Sequence, residues 1–182
     1  GKFLVNLEQQ SQQDEFFLLW VLLAQTKDAI SKARHRELQR WNINVERRRI
    51  LWSLANNGGE STPIEISREL FKELNSVSEM LKRMEEQGLV IRGKRSGKKS
   101  SIVRLTKKGE EILNQSRYNE ADTRIFSILS AEQRKELTSL LWALRSQALK
   151  ELGIPIWRIK FPPSPEIPNE NNTRSLQDPQ TG

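Results

Sequence analysis

Two short stretches hold side chains suited to gripping an anionic, base-bearing polymer. Asn75, Ser76, Ser78 and Glu79 carry short polar groups that donate to or accept from base edges. Lys82 and Arg83 follow one turn later, at the spacing of phosphate-holding cations. Arg92, Lys94, Arg95, Lys98 and Lys99 then crowd into a few residues. Between Phe71 and Lys108 there are eleven Lys and Arg against four Glu, which equals the whole chain's +7 excess. A charge run alone usually marks a solvated face. A basic field concentrated beside a groove-sized helix favours a polyanion instead.

Other chemistries find little footing. The chain has no Cys and one His, His35, so cysteine nucleophiles, disulfides and cysteine-based zinc clusters are excluded. Gly93-Lys94-Arg95-Ser96-Gly97-Lys98-Lys99-Ser100 invites a phosphate-loop reading, but Lys98 stands where that motif needs its second Gly, and no helix follows. We expect no enzyme, no metal and no cofactor. The longest apolar run, Phe16 to Ala24, has nine residues, too few to span a bilayer. The expectation is a cytoplasmic chain with no membrane partner.

The elements that would position the cations can be read in turn. Thr62-Pro63-Ile64-Glu65 is a helix start: a capping Thr, a Pro where its missing N–H costs nothing, and a Glu that can reach back. Ile66 and Leu70 share one face of that helix. Ser76-Val77-Ser78-Glu79 reads as a second capping box, opening a helix with Val77, Met80, Leu81 and Met84 inward and a stop at Gly88. The candidate base-reading residues fall on its opposite face. A helix of this kind fits a major groove about 12 Å wide. The period then changes to two: Leu89 to Arg95 predicts a strand, Ser96 to Lys99 a tip, and Ser101 to Leu105 the return strand. A helix-turn-helix followed by a basic hairpin is the order of a winged helix.

Leu74-Asn75-Ser76-Val77-Ser78, Met84-Glu85-Glu86-Gln87-Gly88-Leu89-Val90, Arg92, and Leu105-Thr106-Lys107-Lys108-Gly109 after the hairpin together resemble the MarR family of bacterial transcription regulators. The helix order carries that resemblance over roughly residues 14 to 153. Many members carry acidic residues in the wing that brace its arginines; here Lys94 to Ser100 contains no acid. The resemblance implies a homodimer that binds duplex DNA at a pseudo-palindromic operator. It also implies a repressor released by a small aromatic or apolar effector held between the dimer helices and the winged domain. Of the five Trp, none falls in the DNA-reading segment. His35, Trp41 and Trp52 are the candidate effector-binding residues, with ordinary packing as the competing explanation for each indole.

The expected fold is mainly α with a small β-hairpin wing (α+β): a winged helix-turn-helix plus long dimerisation helices. Residues 1–41 form an N-terminal arm and first dimerisation helix, the helix itself predicted over 14–41. Residues 42–106 form the winged domain, 107–153 the C-terminal dimerisation helices, and 154–182 a Pro-rich, partly disordered tail. Phe16 to Leu23 is apolar all round, which points to cover by a second subunit. Val45 to Asn56 predicts a helix with Leu51, Leu54 and Ala55 inward; Arg47, Arg48 and Arg49 either touch phosphates or face solvent. Thr106 to about Ile128 predicts one long helix, and Ser130-Ala131-Glu132-Gln133 opens another that Gly153 and Pro155 stop. Ile156, Trp157, Ile159 and Phe161 alternate as an extended strip would, and disorder is expected from about Ser164. The rival to DNA binding is a winged-helix module that contacts proteins only.

Overall fold

The computed structural model describes residues 2–94, 101–117, 120–159 and 162. The expected wing tip and the expected disorder beyond Ser164 lie outside the described residues. Helix α1 runs Lys2–Leu38 without interruption. It therefore begins a dozen residues before the predicted start, and the expected arm is its first turns. No Gly or Pro occurs in that span, so nothing in it breaks a helix. The helix tightens into a 3-10 turn, Gln39–Trp41, and ends at Asn42 in the left-handed region.

Asn44 restarts the chain by capping α2 (Val45–Asn56), its side chain accepting the Arg47 N–H at 2.8 Å. Gly58 and Gly59, both at positive φ, turn the chain into β1 (Glu60–Ser61). This two-residue strand is absent from the sequence reading because two residues carry no periodicity. Helix α3 (Pro63–Leu70) opens on the expected capping box: Thr62 Oγ1 accepts the Glu65 N–H at 3.2 Å, and Glu65 accepts the Thr62 N–H at 2.9 Å. Helix α4 (Leu74–Glu86) starts two residues before the predicted Ser76, with Glu73 at its cap position and no side-chain cap. The Ser76–Glu79 box is thus not formed, because both residues already lie inside the helix.

Strands β2 (Val90–Lys94) and β3 (Ser101–Leu105) pair antiparallel in the register Val90↔Leu105 to Lys94↔Ser101. β1 adds to the other edge of β3, giving the order β1-β3-β2. The predicted long helix from Thr106 is two helices, α5 (Lys107–Gln115) and α6 (Glu120–Phe126). The break falls at buried Ser116, whose carbonyl and hydroxyl oxygens both accept from Arg48 Nε, at 3.1 and 3.2 Å. Helix α7 (Ala131–Glu151) carries the expected Ser130–Gln133 capping box and ends before Gly153. The part of the expected strip that is described is a 3-10 turn, Ile156–Arg158, rather than extended; Ile159 is buried, Trp157 is exposed, and Phe161 lies outside the described residues.

One core cluster spans Leu38 to Leu113, with Ile50, Leu51 and Leu54 of α2, Ile66 of α3, Val77, Leu81 and Met84 of α4, and Val103 of β3. Ala55 is exposed, not inward as expected. Helices α1 and α7 contrast with this core. Trp20 is 63% exposed, Leu140 56% and Leu144 51%, so large side chains on both helices lie uncovered within one chain. No helix among the described residues is long and apolar enough to cross a membrane.

Candidate nucleic-acid interface

The buried stripe of α4 sets its other face. With Val77, Leu81 and Met84 in the core, Asn75, Ser76, Glu79, Lys82 and Arg83 are exposed and Ser78 is half-buried. Asn75, Ser76, Glu79, Met80 and Arg83 line a shallow depression along the helix. Arg83 and Glu79 approach to 4.0 Å across one turn, both largely solvated. A pair of that kind contributes little to stability. Both groups stay available to another surface.

The far end of α4 is held by three contacts. Lys108 Nζ donates to the Gln87 carbonyl at 2.8 Å, a cation at a helix C-terminus. Arg47 Nη1 donates to Gln87 Oε1 at 3.2 Å. Glu85 accepts the Arg92 backbone N–H at 2.9 Å and its Nε at 2.7 Å, with Nη2 also at 2.7 Å. Those bonds hold the Glu85 carboxyl below its ordinary pKa, the backbone N–H of Arg92 first and its guanidinium second. On the other strand Arg104 pairs with Glu60 of β1 at 3.2 Å.

The candidate residues can now be placed. Arg92 is partly exposed and tied to α4; Lys94 is exposed at the last described position of β2. Arg95, Lys98 and Lys99 lie outside the described residues. Of the three α2 arginines, Arg47 and Arg48 are half-buried and Arg49 faces solvent, one of the two alternatives expected. They bond Gln87, Ser116 and the Glu69 carbonyl, joining α2 to three neighbours. Burial pushes the Arg48 guanidinium below its ordinary pKa.

Glu85 and Glu60 were missed as functional candidates. The signal available was the wing's lack of acid, which asks for one from elsewhere. Of the proposed effector residues, His35 and Trp52 are exposed, and Trp41 is half-buried against the core. A cleft of about 520 Å³ opens elsewhere, with walls that include Asn57, Glu65, Glu69, Ile102, Trp157 and Arg158; none of the three lines it.

A winged helix-turn-helix set between long, apolar-faced helices defines the class. A family model described as winged helix-turn-helix DNA-binding matches residues 47–91. The HTH-type transcriptional regulator Hpr of Geobacillus thermodenitrificans is 30% identical over 113 residues, 59% of this chain and 56% of that protein. The chain spans about half the length of the curated relatives it matches. The organohalide-sensing transcriptional regulator RdhR-CbdbA1625, solved with 2,4-dichlorophenol bound, is 34% identical with a TM-score of 0.68, covering 73% of this chain and 80% of that one. A variant of MarR from E. coli, solved with operator DNA, superposes at a TM-score of 0.65 and 22% identity over 71% of this chain and 95% of that one, a likeness of fold. The chain belongs to the MarR family of winged helix-turn-helix transcription regulators.

Proposed function

We propose that this chain binds duplex DNA as a homodimer, with α4 in the major groove and the wing against the adjacent minor groove. The observation that carries the reading is the division of α4: one face is locked into the core, and the other presents Asn75, Ser76, Glu79, Lys82 and Arg83 to solvent beside a basic hairpin. Recognition helices lead with their N-terminal residues, so Asn75, Ser76, Ser78 and Glu79 meet base edges while Lys82 and Arg83 hold phosphates. Glu79, no longer engaged as a cap, is placed to accept from a cytosine amino group. Arg92, Lys94, Arg95, Lys98 and Lys99 supply the wing's charge. Residues 42–106 are the winged domain that carries the DNA-reading helix and hairpin, and the helices on either side of it make the dimer.

Exposed Phe16, Trp20 and Leu23 on α1 and Leu140, Leu141 and Leu144 on α7 support the dimer, since apolar area of that extent on a single chain calls for a partner. A two-fold dimer reads a pseudo-palindrome with half-sites about 10 base pairs apart. Regulation is by repression in this reading, and its relief by a small aromatic or apolar effector is supported by the organohalide-sensing relative, which holds 2,4-dichlorophenol. His35, Trp41 and Trp52 remain our proposed effector contacts; quenching of indole fluorescence by 2,4-dichlorophenol, lost in Trp41→Phe with Trp52→Phe, tests them.

The experiment for DNA binding is a salt titration of the full chain on a duplex it selects from a randomised library. Binding should fall steeply as salt rises, because each neutralised phosphate releases counterions. Absence of any selected duplex, with the chain folded and dimeric, would favour the protein-contacting winged helix.

A further inference from the structure

The hairpin carries arginines but no acid to orient them. From the contacts on its two strands, we infer that Glu85 is a positioning residue: it fixes the first wing strand to α4, so that the groove-reading helix and the wing present a single rigid surface to DNA. This rests on the DNA-binding reading above.

Three features support it. Glu85 engages both the main chain and the side chain of Arg92, at 2.9 and 2.7 Å. A backbone bond fixes where the strand leaves the helix; the charged bond fixes where the guanidinium points. The contact bridges seven residues across the tight turn at Gly88, where φ is +73° and the chain reverses from α4 into β2. The return strand is held independently, by Glu60 on Arg104 at 3.2 Å, and Arg104 stands opposite Ile91 in the register. Each strand of the wing is therefore anchored by a carboxylate from outside the hairpin. Only the Glu85 anchor belongs to the helix that would enter the major groove. Arg92 retains 38% of its side-chain exposure, enough to reach a phosphate while held.

A carboxylate near DNA has an opposite default effect: it repels phosphates, and neutralising it should strengthen binding. That difference in sign makes the inference testable. The full-length chain is compared with Glu85→Gln, and with Glu86→Gln as a neighbouring exposed acid, on the duplex selected by the unaltered chain. Glu85→Gln should weaken binding about tenfold, the scale of one lost charge-assisted contact. Hydroxyl-radical footprints should lose the outer, minor-groove protections and keep the central ones. Glu86→Gln should bind as well as the parent or better. Unchanged or tighter binding by Glu85→Gln overturns the inference, as does loss of central and outer protection together with a matching fall in melting temperature. A second arm needs no DNA. In Glu85→Ala the Arg92 amide should exchange its hydrogen faster while the amides of α4 keep theirs; unaltered exchange at Arg92 overturns the brace. If the unaltered chain selects no duplex, the functional reading fails, and the exchange arm still decides whether Glu85 holds the strand.

Discussion

Gly109 stands in the first turn of α5, packed against the Leu89 backbone between α4 and β2. A methyl group there would strike the Leu89 carbonyl oxygen and lie 2.8 Å from Leu105 Cδ1. Backbone on one side leaves no room to yield, so Gly109→Ala should cost about 1–3 kcal/mol, read as a lowered melting temperature. This gives the Gly of Leu105-Thr106-Lys107-Lys108-Gly109 a packing reason, which no sequence period shows. On the face of α4 proposed to meet DNA, Lys82→Ala and Arg83→Ala should each lower the slope of log affinity against log salt by about one and leave thermal stability nearly unchanged. An unchanged slope removes that residue from the phosphate contacts. The exposed face of α4 was legible in the sequence because its apolar positions repeat at three and four. The inward turn of Arg47 and Arg48 was not: their partners, Gln87 and Ser116, come from elements that meet α2 only on folding.

Helices α1 and α6 are joined mainly by charge. Glu37 accepts the Ala121 N–H at 3.1 Å and Arg124 Nη2 at 2.8 Å, while Arg34 pairs with Asp122 at 3.0 Å. The Ala121 N–H, followed by Arg124, holds the Glu37 carboxyl below its ordinary pKa of 4.5. A carboxylate depressed by folding stabilises the fold above its unfolded pKa, and that contribution disappears as pH falls through the lower folded value. Acid should therefore loosen the α1–α6 contact only below pH 4.5, with the Glu85–Arg92 contact weakening over the same kind of window. Glu37→Gln should flatten the acid limb of the melting-temperature profile; a profile identical to the parent's would remove Glu37 from that linkage. Elements with side-chain caps and clear periods, α2, α3 and α7, are found within a residue or so of where the sequence puts them. The errors fall where local signals mislead. Ser76-x-x-Glu79 looks like a start but lies inside α4, because an earlier turn closes first, with the Val77 N–H bonded to the Glu73 carbonyl at 3.1 Å. The single helix expected over Thr106–Ile128 runs through a break that Arg48 of α2 helps to define.

At the scale of the molecule, the core cluster runs from Leu38 at the end of α1 to Leu113 of α5, and the rest of α1 and much of α7 keep large apolar residues outside it. That contrast was partly legible in the all-round apolar character of Phe16 to Leu23. How two such helix sets would pack is not written in one chain's periodicity. Leu140→Glu with Leu144→Glu should give a monomer by light scattering and weaken binding to a two-half-site duplex far more than to a single half-site. A dimer that survives both substitutions places the interface elsewhere. The measurement that bears most directly on the account is the salt dependence of binding by the unaltered chain to its selected duplex, with stoichiometry read at saturation. The account predicts two chains per duplex and an affinity that falls by orders of magnitude as salt rises through the physiological range, since six to ten neutralised phosphates imply about 10³–10⁵ between 50 and 200 mM. Binding indifferent to salt, or one chain per duplex at full affinity, would contradict it.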